Sequence, residues 1–236
     1  LHQPERVIIE YNGMWLVSNF EKMQLPTGWG VEQQITCVDG STFQMYMANM
    51  KSIFMDMIKN TDMVIFNRCK KEDPLPTYRR GIKVANQRAE VIFEDEEGEL
   101  GDIFQDEMPF DMNAPVIEIL PEDYGIWFVD AMDHPENYEG KTVKFKARVM
   151  KPRGMGSKFF VPGRTAMTCC ADDTTFLGYV CKSAYAPKLT PGEWVEVTAK
   201  VGIEKRNEYQ GEEGIVLDAE HVEQCDPLED EMVYFN

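Results

Sequence analysis

The chain has no run approaching the ~18 apolar residues that a membrane-crossing helix needs, so direct insertion into a bilayer is not expected. Basic residues are also scarce: 24 Lys and Arg stand against 41 Asp and Glu, a formal charge of −17. Gripping nucleic acid without regard to sequence takes a surplus of cations to displace counterions. No nucleic-acid partner is expected, and an anionic membrane surface is excluded on the same ground. The three histidines, His2, His134 and His221, are scattered, and the six cysteines contain no C-x-x-C pair. That rules out a preformed zinc-finger spacing and the even disulfide framework of a small secreted domain. Sparse thiols beside 15 Met fit a reducing cytoplasm. The start, Leu1-His2-Gln3-Pro4, has neither an initiator Met nor a signal-peptide pattern, so further sequence is expected upstream.

At 236 residues with 43% hydrophobic content, the chain is long enough for two domains with proper cores. The first half alternates in type. Short apolar runs at 7–11, 34–38, 63–66 and 89–93 read as strands, most of them ending at a polar residue. Between them, residues 42–59 carry Phe43, Tyr46, Met47, Met50, Ile53, Phe54, Met57 and Ile58 at helical spacing. Strands linked by helical stretches imply a parallel sheet with its site along the carboxyl edge. The helix methionines read as core filler. Residues 94–111 then hold nine carboxylates and no base, which marks the boundary between domains 1–111 and 112–236.

The second half changes period. A helix over 122–132 and a turn over 133–137 precede strands at 142–150, 158–161, 165–170, 176–181, 193–204 and 215–223. Val143, Phe145, Ala147 and Val149 alternate with Lys144, Lys146 and Arg148, a period of two. Five or six short strands so spaced suggest a small closed barrel of the OB type. The expected fold is therefore α/β plus all-β: a partial parallel-sheet, G-domain-like region followed by an OB-like barrel.

Gly140-Lys141-Thr142 imitates a phosphate loop, but Pro135 stands where the first Gly belongs and the segment enters a strand. Cys169-Cys170, followed by Asp172 and Asp173, is the most distinctive pair. Neighbours on a strand face opposite ways, so both thiols share a pocket only if the backbone bulges or turns there. With Cys181 and Asp172 they form a candidate soft-metal set; buried core thiols and a vicinal redox pair are the other readings. Arg164 would bind an anion or partner, or pair with a carboxylate. Along the expected sheet edge, Glu10, Gly13, Asp39 and Asn67 are the candidate nucleotide and magnesium residues.

Two resemblances bear on these residues. Glu10-Tyr11-Asn12-Gly13, Cys37-Val38-Asp39, the 61–68 stretch ending in Asn67-Arg68, and Asn86-Gln87-Arg88-Ala89 resemble the later half of a CobW-like P-loop GTPase. Arg68 replaces that family's Lys, and Lys70 replaces the Asp that would read guanine. The P-loop is missing, so the resemblance implies no catalysis by this chain alone, with GTP and Mg²⁺ bound only if a P-loop lies upstream. From Tyr138 through Arg164, Cys169-Cys170 and Gly178-Tyr179-Val180-Cys181 to Trp194, the second half resembles the C-terminal domain of YcgQ-like permease-subunit proteins. Together they imply a cytoplasmic metallochaperone-like protein. Its barrel binds zinc or a partner, such as a membrane permease or a metal-accepting protein. The rival reading is a non-enzymatic binding module on a degenerate nucleotide-binding scaffold.

Overall fold

The structure, a computed structural model, describes residues 4–101, 108–170 and 173–233, with only the backbone described at Cys169, Cys170 and Asp173. The chain divides into two compact units, residues 1–73 with 85–101 and residues 74–84 with 102–236.

In the first unit, strands β1 (Ile35–Asp39), β2 (Met63–Asn67) and β3 (Glu90–Phe93) pair in parallel in that order. A short helix α1 (Val17–Glu21) precedes them, and α2 (Phe43–Ile58) makes the crossover that a parallel pair requires. Phe43 meets Phe54 at 5.0 Å and Phe66 at 4.9 Å, and Phe66 stacks on Phe93 at 4.8 Å. Each such pair adds about 0.5–1.5 kcal/mol beyond its buried area. This aromatic column, with Val38, Ile58 and Val64, is the unit's core. Helix α2 kinks at Met50, where φ is −135°. The adjacent Asn49 amide bonds the Met45 carbonyl at 2.8 Å, a side chain competing with the helical ladder.

The strand expected at 7–11 is not there. Val7, Ile8 and Ile9 are 52%, 91% and 57% exposed. An apolar run becomes a strand only where a neighbour completes its backbone hydrogen bonds, and no described strand pairs with this one. After β3 the acidic run begins as an ordered turn. Glu94 bridges Glu99, the Asp95 carboxylate accepts from the Glu97 amide at 2.7 Å, and Leu100 is buried.

The second unit begins with α3 (Leu75–Ala85), where Pro76 suits the first turn because its missing amide costs nothing there. The strands are β4 (Ile117–Glu118), β5 (Thr142–Met150), β6 (Phe159–Cys170), β7 (Asp173–Gly178), β8 (Val180–Lys182), β9 (Trp194–Lys205), β10 (Glu213–Gln224) and β11 (Met232–Val233). Five of them close a ring, β5–β6–β8–β10–β9 and back to β5, antiparallel throughout except for β8 with β10. That is the OB type of barrel. Helix α4 (Tyr124–Asp133), apolar almost all round, packs into the barrel core: Trp127 lies 4.8 Å from Phe145 and 5.7 Å from Tyr179. The Tyr124 hydroxyl donates to Leu177 O at 3.0 Å and the Tyr138 hydroxyl to Asp130 at 2.6 Å, which fixes the helix in place.

Two expected strands, 158–161 and 165–170, are one continuous β6, while 176–181 is split between β7 and β8. Gly163 and Gly178 stand opposite each other where β6 meets β7. A Cβ on Gly163 would lie 2.3 Å from Leu177 O, and one on Gly178 would lie 2.6 Å from Pro162 O. Only glycine permits so close an approach. Among the described residues no helix is long and apolar enough to cross a membrane.

Candidate functional site

The carboxyl edge of the parallel sheet brings Asp39 and Asn67 together as register partners. Asp39 accepts from the Ser41 hydroxyl at 2.6 Å, from the Ser41 amide at 3.1 Å and from Arg68 at 2.5 Å. The Ser41 hydroxyl, with help from Arg68, holds the Asp39 carboxyl below its usual range. Arg68 occupies the left-handed region at φ 54°, rare for a side chain of its size. Asn67 Oδ1 is buried with no hydrogen-bond partner among the described residues. A Cβ on Gly40 would lie 2.7 Å from Cys69 Sγ, so the turn after β1 packs directly against Cys69. Glu10 and Gly13 do not join this edge as expected. Glu10 lies exposed in irregular chain, and Gly13 bonds through its carbonyl to Tyr46 of α2 at 3.3 Å. Without the first strand, nothing carries them to the sheet.

In the barrel, Arg164 departs from expectation. It is 2% exposed, and among the described residues its guanidinium donates to main-chain carbonyls and to no carboxylate. Nη2 reaches Asp230 O and Met232 O, each at 3.0 Å, and Nη1 reaches Pro121 O. Tyr124 lies beneath it, 5.6 Å from ring centre to Cζ. Burial lowers its pKa, against the opposing pull of Tyr124, Asp230 and Glu122. Cys181 likewise leaves the candidate metal set. It is fully buried on β8 opposite Phe160, and Cys169 lies nine residues further along β6, on the order of 30 Å at strand rise. Burial pushes its thiol pKa far up, which disfavours the thiolate a metal needs. The Cys169 and Cys170 side chains, and Asp172 entirely, lie outside the described residues. The backbone there does carry a bulge: register shifts between Met167 and Cys170 where β6 pairs with β7. Among the described residues no group of three or more metal-ligating side chains gathers.

A feature outside the expected set is the cleft between the β5–β6 and β9–β10 loops. It measures about 590 Å³ and is lined by Arg153, Met155, Phe159, Lys205, Arg206 and Glu208 among others. Arg206 lies flat over Phe159, 4.4 Å from Cζ to ring centre. Glu208 clamps it with two bonds of 3.2 and 3.0 Å, and Glu204 stands 3.6 Å away. That pairing holds the Glu208 carboxyl below its usual range. Arg206 is therefore a neutralised wall. Arg153 makes no hydrogen bond or ion pair among the described residues, and Lys205 has only Glu213 at 3.9 Å, both well exposed. Such a pair contributes little. The sequence held a usable signal: residues 141–170 contain eight Lys and Arg and no Asp or Glu. Summing charge over the whole chain concealed it.

The strand pairings define a protein with an OB-type barrel domain and a separate three-stranded α/β unit. A model of the DUF1980 C-terminal domain matches residues 99–235, more than half the chain, and the chain belongs to that family. No curated protein matches it. Solved structures similar to it include the mitochondrial single-stranded DNA binding protein Rim1 of S. cerevisiae (10% identity, 37% of this chain and 97% of that one, TM-score 0.23). Others are the aspartyl tRNA synthetase of Entamoeba histolytica (15%, 50% and 27%, 0.26) and a small single-stranded DNA-binding protein of Streptomyces coelicolor (14%, 37% and 95%, 0.22). Scores this low add nothing to the fold, which rests on the strand pairings.

Proposed function

We propose that the chain is a non-enzymatic binding module whose barrel takes its ligand or partner in the cleft between the β5–β6 and β9–β10 loops. The observation that carries this reading is the cleft itself, about 590 Å³ between two loops at the end of a closed barrel. That lies within the usual size range of small-molecule sites, and these are the loop positions OB barrels use for ligands. A thermal-shift panel followed by hydrogen exchange tests it. Hits should protect the amides of 152–156 and 205–208. Hits that protect only other surfaces would refute the cleft.

A second reading makes the chain the later part of a CobW-like metallochaperone, with zinc held by Cys169 and Cys170. The unpartnered Asn67 Oδ1 at the sheet edge supports its nucleotide half, and the bulge at Met167–Cys170 supports its metal half, since neighbouring thiols need such an irregularity to face one way. The YcgQ-like resemblance covers the same barrel as the family match and adds a membrane permease or a metal acceptor as partner. Zinc retained by reduced protein and lost in both Cys169→Ser and Cys170→Ser would uphold the metal half. A coding sequence upstream of Leu1 without G-x-x-x-x-G-K-[ST] would end the GTPase half.

A further inference from the structure

We propose that the cleft takes a compact multivalent oxyanion, of the oligophosphate or tricarboxylate kind; this rests on the reading of the barrel as a binding module. Charge is the first argument. The acid-free stretch 141–170 supplies β5 and the β5–β6 loop, and every one of the 41 carboxylates lies elsewhere in the sequence. Most cations of that stretch are already engaged. Lys144 pairs with Glu196 at 2.9 Å, Arg148 stands 3.8 Å from Glu231, and Lys151 donates to Ala186 O and Leu189 O at 2.6 Å each. Among the described residues Arg153, at the cleft, has no partner, and across from it Lys205 is held only weakly. Glu208 is the one carboxylate lining the cleft among the described residues, and Arg206 already occupies it. One unpaired and one weakly paired cation facing one open space attract a ligand with more than one negative charge.

Size and surroundings decide between a compact anion and a polymer. An open groove of about 590 Å³ matches a small molecule in size. A long polyanion would have to leave it over a chain of net charge −17, which repels it along its length. Gly154, in the left-handed region at φ +86°, supplies the turn in the β5–β6 loop.

Calorimetry on the full chain with tripolyphosphate, and separately with citrate, at about 20 mM NaCl tests the assignment. At least one should give saturable heat; the tighter of the two identifies phosphate or carboxylate as the source. The double variant Arg153→Glu/Lys205→Glu should weaken binding at least tenfold. Arg153→Gln/Lys205→Gln should weaken it less, and Lys22→Glu, exposed in the first unit, should not change it. Melting curves matching the parent show that the variants fold. No saturable heat from either anion overturns the proposal, as does binding that ignores the double variant or an oligothymidine that binds more tightly than both. If the anions fail but a neutral or cationic hit still protects 152–156, only the charge assignment falls. If hits protect other surfaces, the cleft falls with it.

Discussion

The guanidinium of Arg164 sits in the barrel wall with three main-chain carbonyls where a counterion would be expected. It therefore ties the turn before α4 and the segment before β11 to β6, and it is a structural strut. Arg164→Met would strip those part-buried carbonyls of their donor. Unsatisfied buried acceptors cost about 1–3 kcal/mol each, so urea unfolding should show a loss of at least about 2 kcal/mol. Arg164→Lys, which restores one donor group, should recover part of it. An unchanged midpoint in the Met variant would remove the strut. The thiols give a second expectation. Cys37 is exposed, whereas burial pushes the Cys69 thiol up to about 11. A raised folded value means the fold favours the neutral thiol; that contribution is complete below the ordinary thiol range and is lost as pH rises toward 11. Mass mapping after a thiol reagent at pH 8 should find Cys37 labelled early. Cys69 should stay protected until the chain unfolds or the pH approaches 11.

At the scale of elements, what could be read in the sequence depended on whether the partner was local. The alternation in β5 was legible because one face meets core and the other water along the whole strand. The α2 crossover was legible for the same reason at helical period. The absent strand at 7–11 was not, since its residues have the right composition and lack only a neighbour. Pro162-Gly163 reads as a break, yet β6 runs through it because β7 approaches too closely for any side chain. Gly163→Ala places a methyl against the Leu177 carbonyl and the Phe176 ring, a clash with backbone that rotamers cannot relieve. Overpacking typically costs about 1–3 kcal/mol, which in a domain of this size lowers the melting midpoint by roughly 3–10 °C. Gly156→Ala, where a Cβ would meet only Phe159 at 3.4 Å, should cost much less. Equal losses would contradict the close-approach account.

Over the whole molecule the −17 charge and the acid-free stretch at 141–170 act in opposite directions, and salt separates them. This part of the site was written in the sequence but invisible to a sum over the chain. The Arg153–Lys205 juxtaposition was not written there, because it depends on two loops 52 positions apart meeting at one barrel end. Like charges spread over the surface repel one another and weaken the compact state, and added salt screens that repulsion. The melting midpoint should therefore rise between about 20 and 200 mM NaCl, a span over which the screening length falls from roughly 20 to 7 Å. Anion binding at the cleft should weaken over the same range, because there the screened force is attraction. One salt series read by calorimetry and by thermal melting covers both. A midpoint that falls with salt would mean that local ion pairs such as Lys144–Glu196 outweigh the net charge. A binding constant indifferent to salt would mean that Arg153 and Lys205 do not hold the ligand by charge.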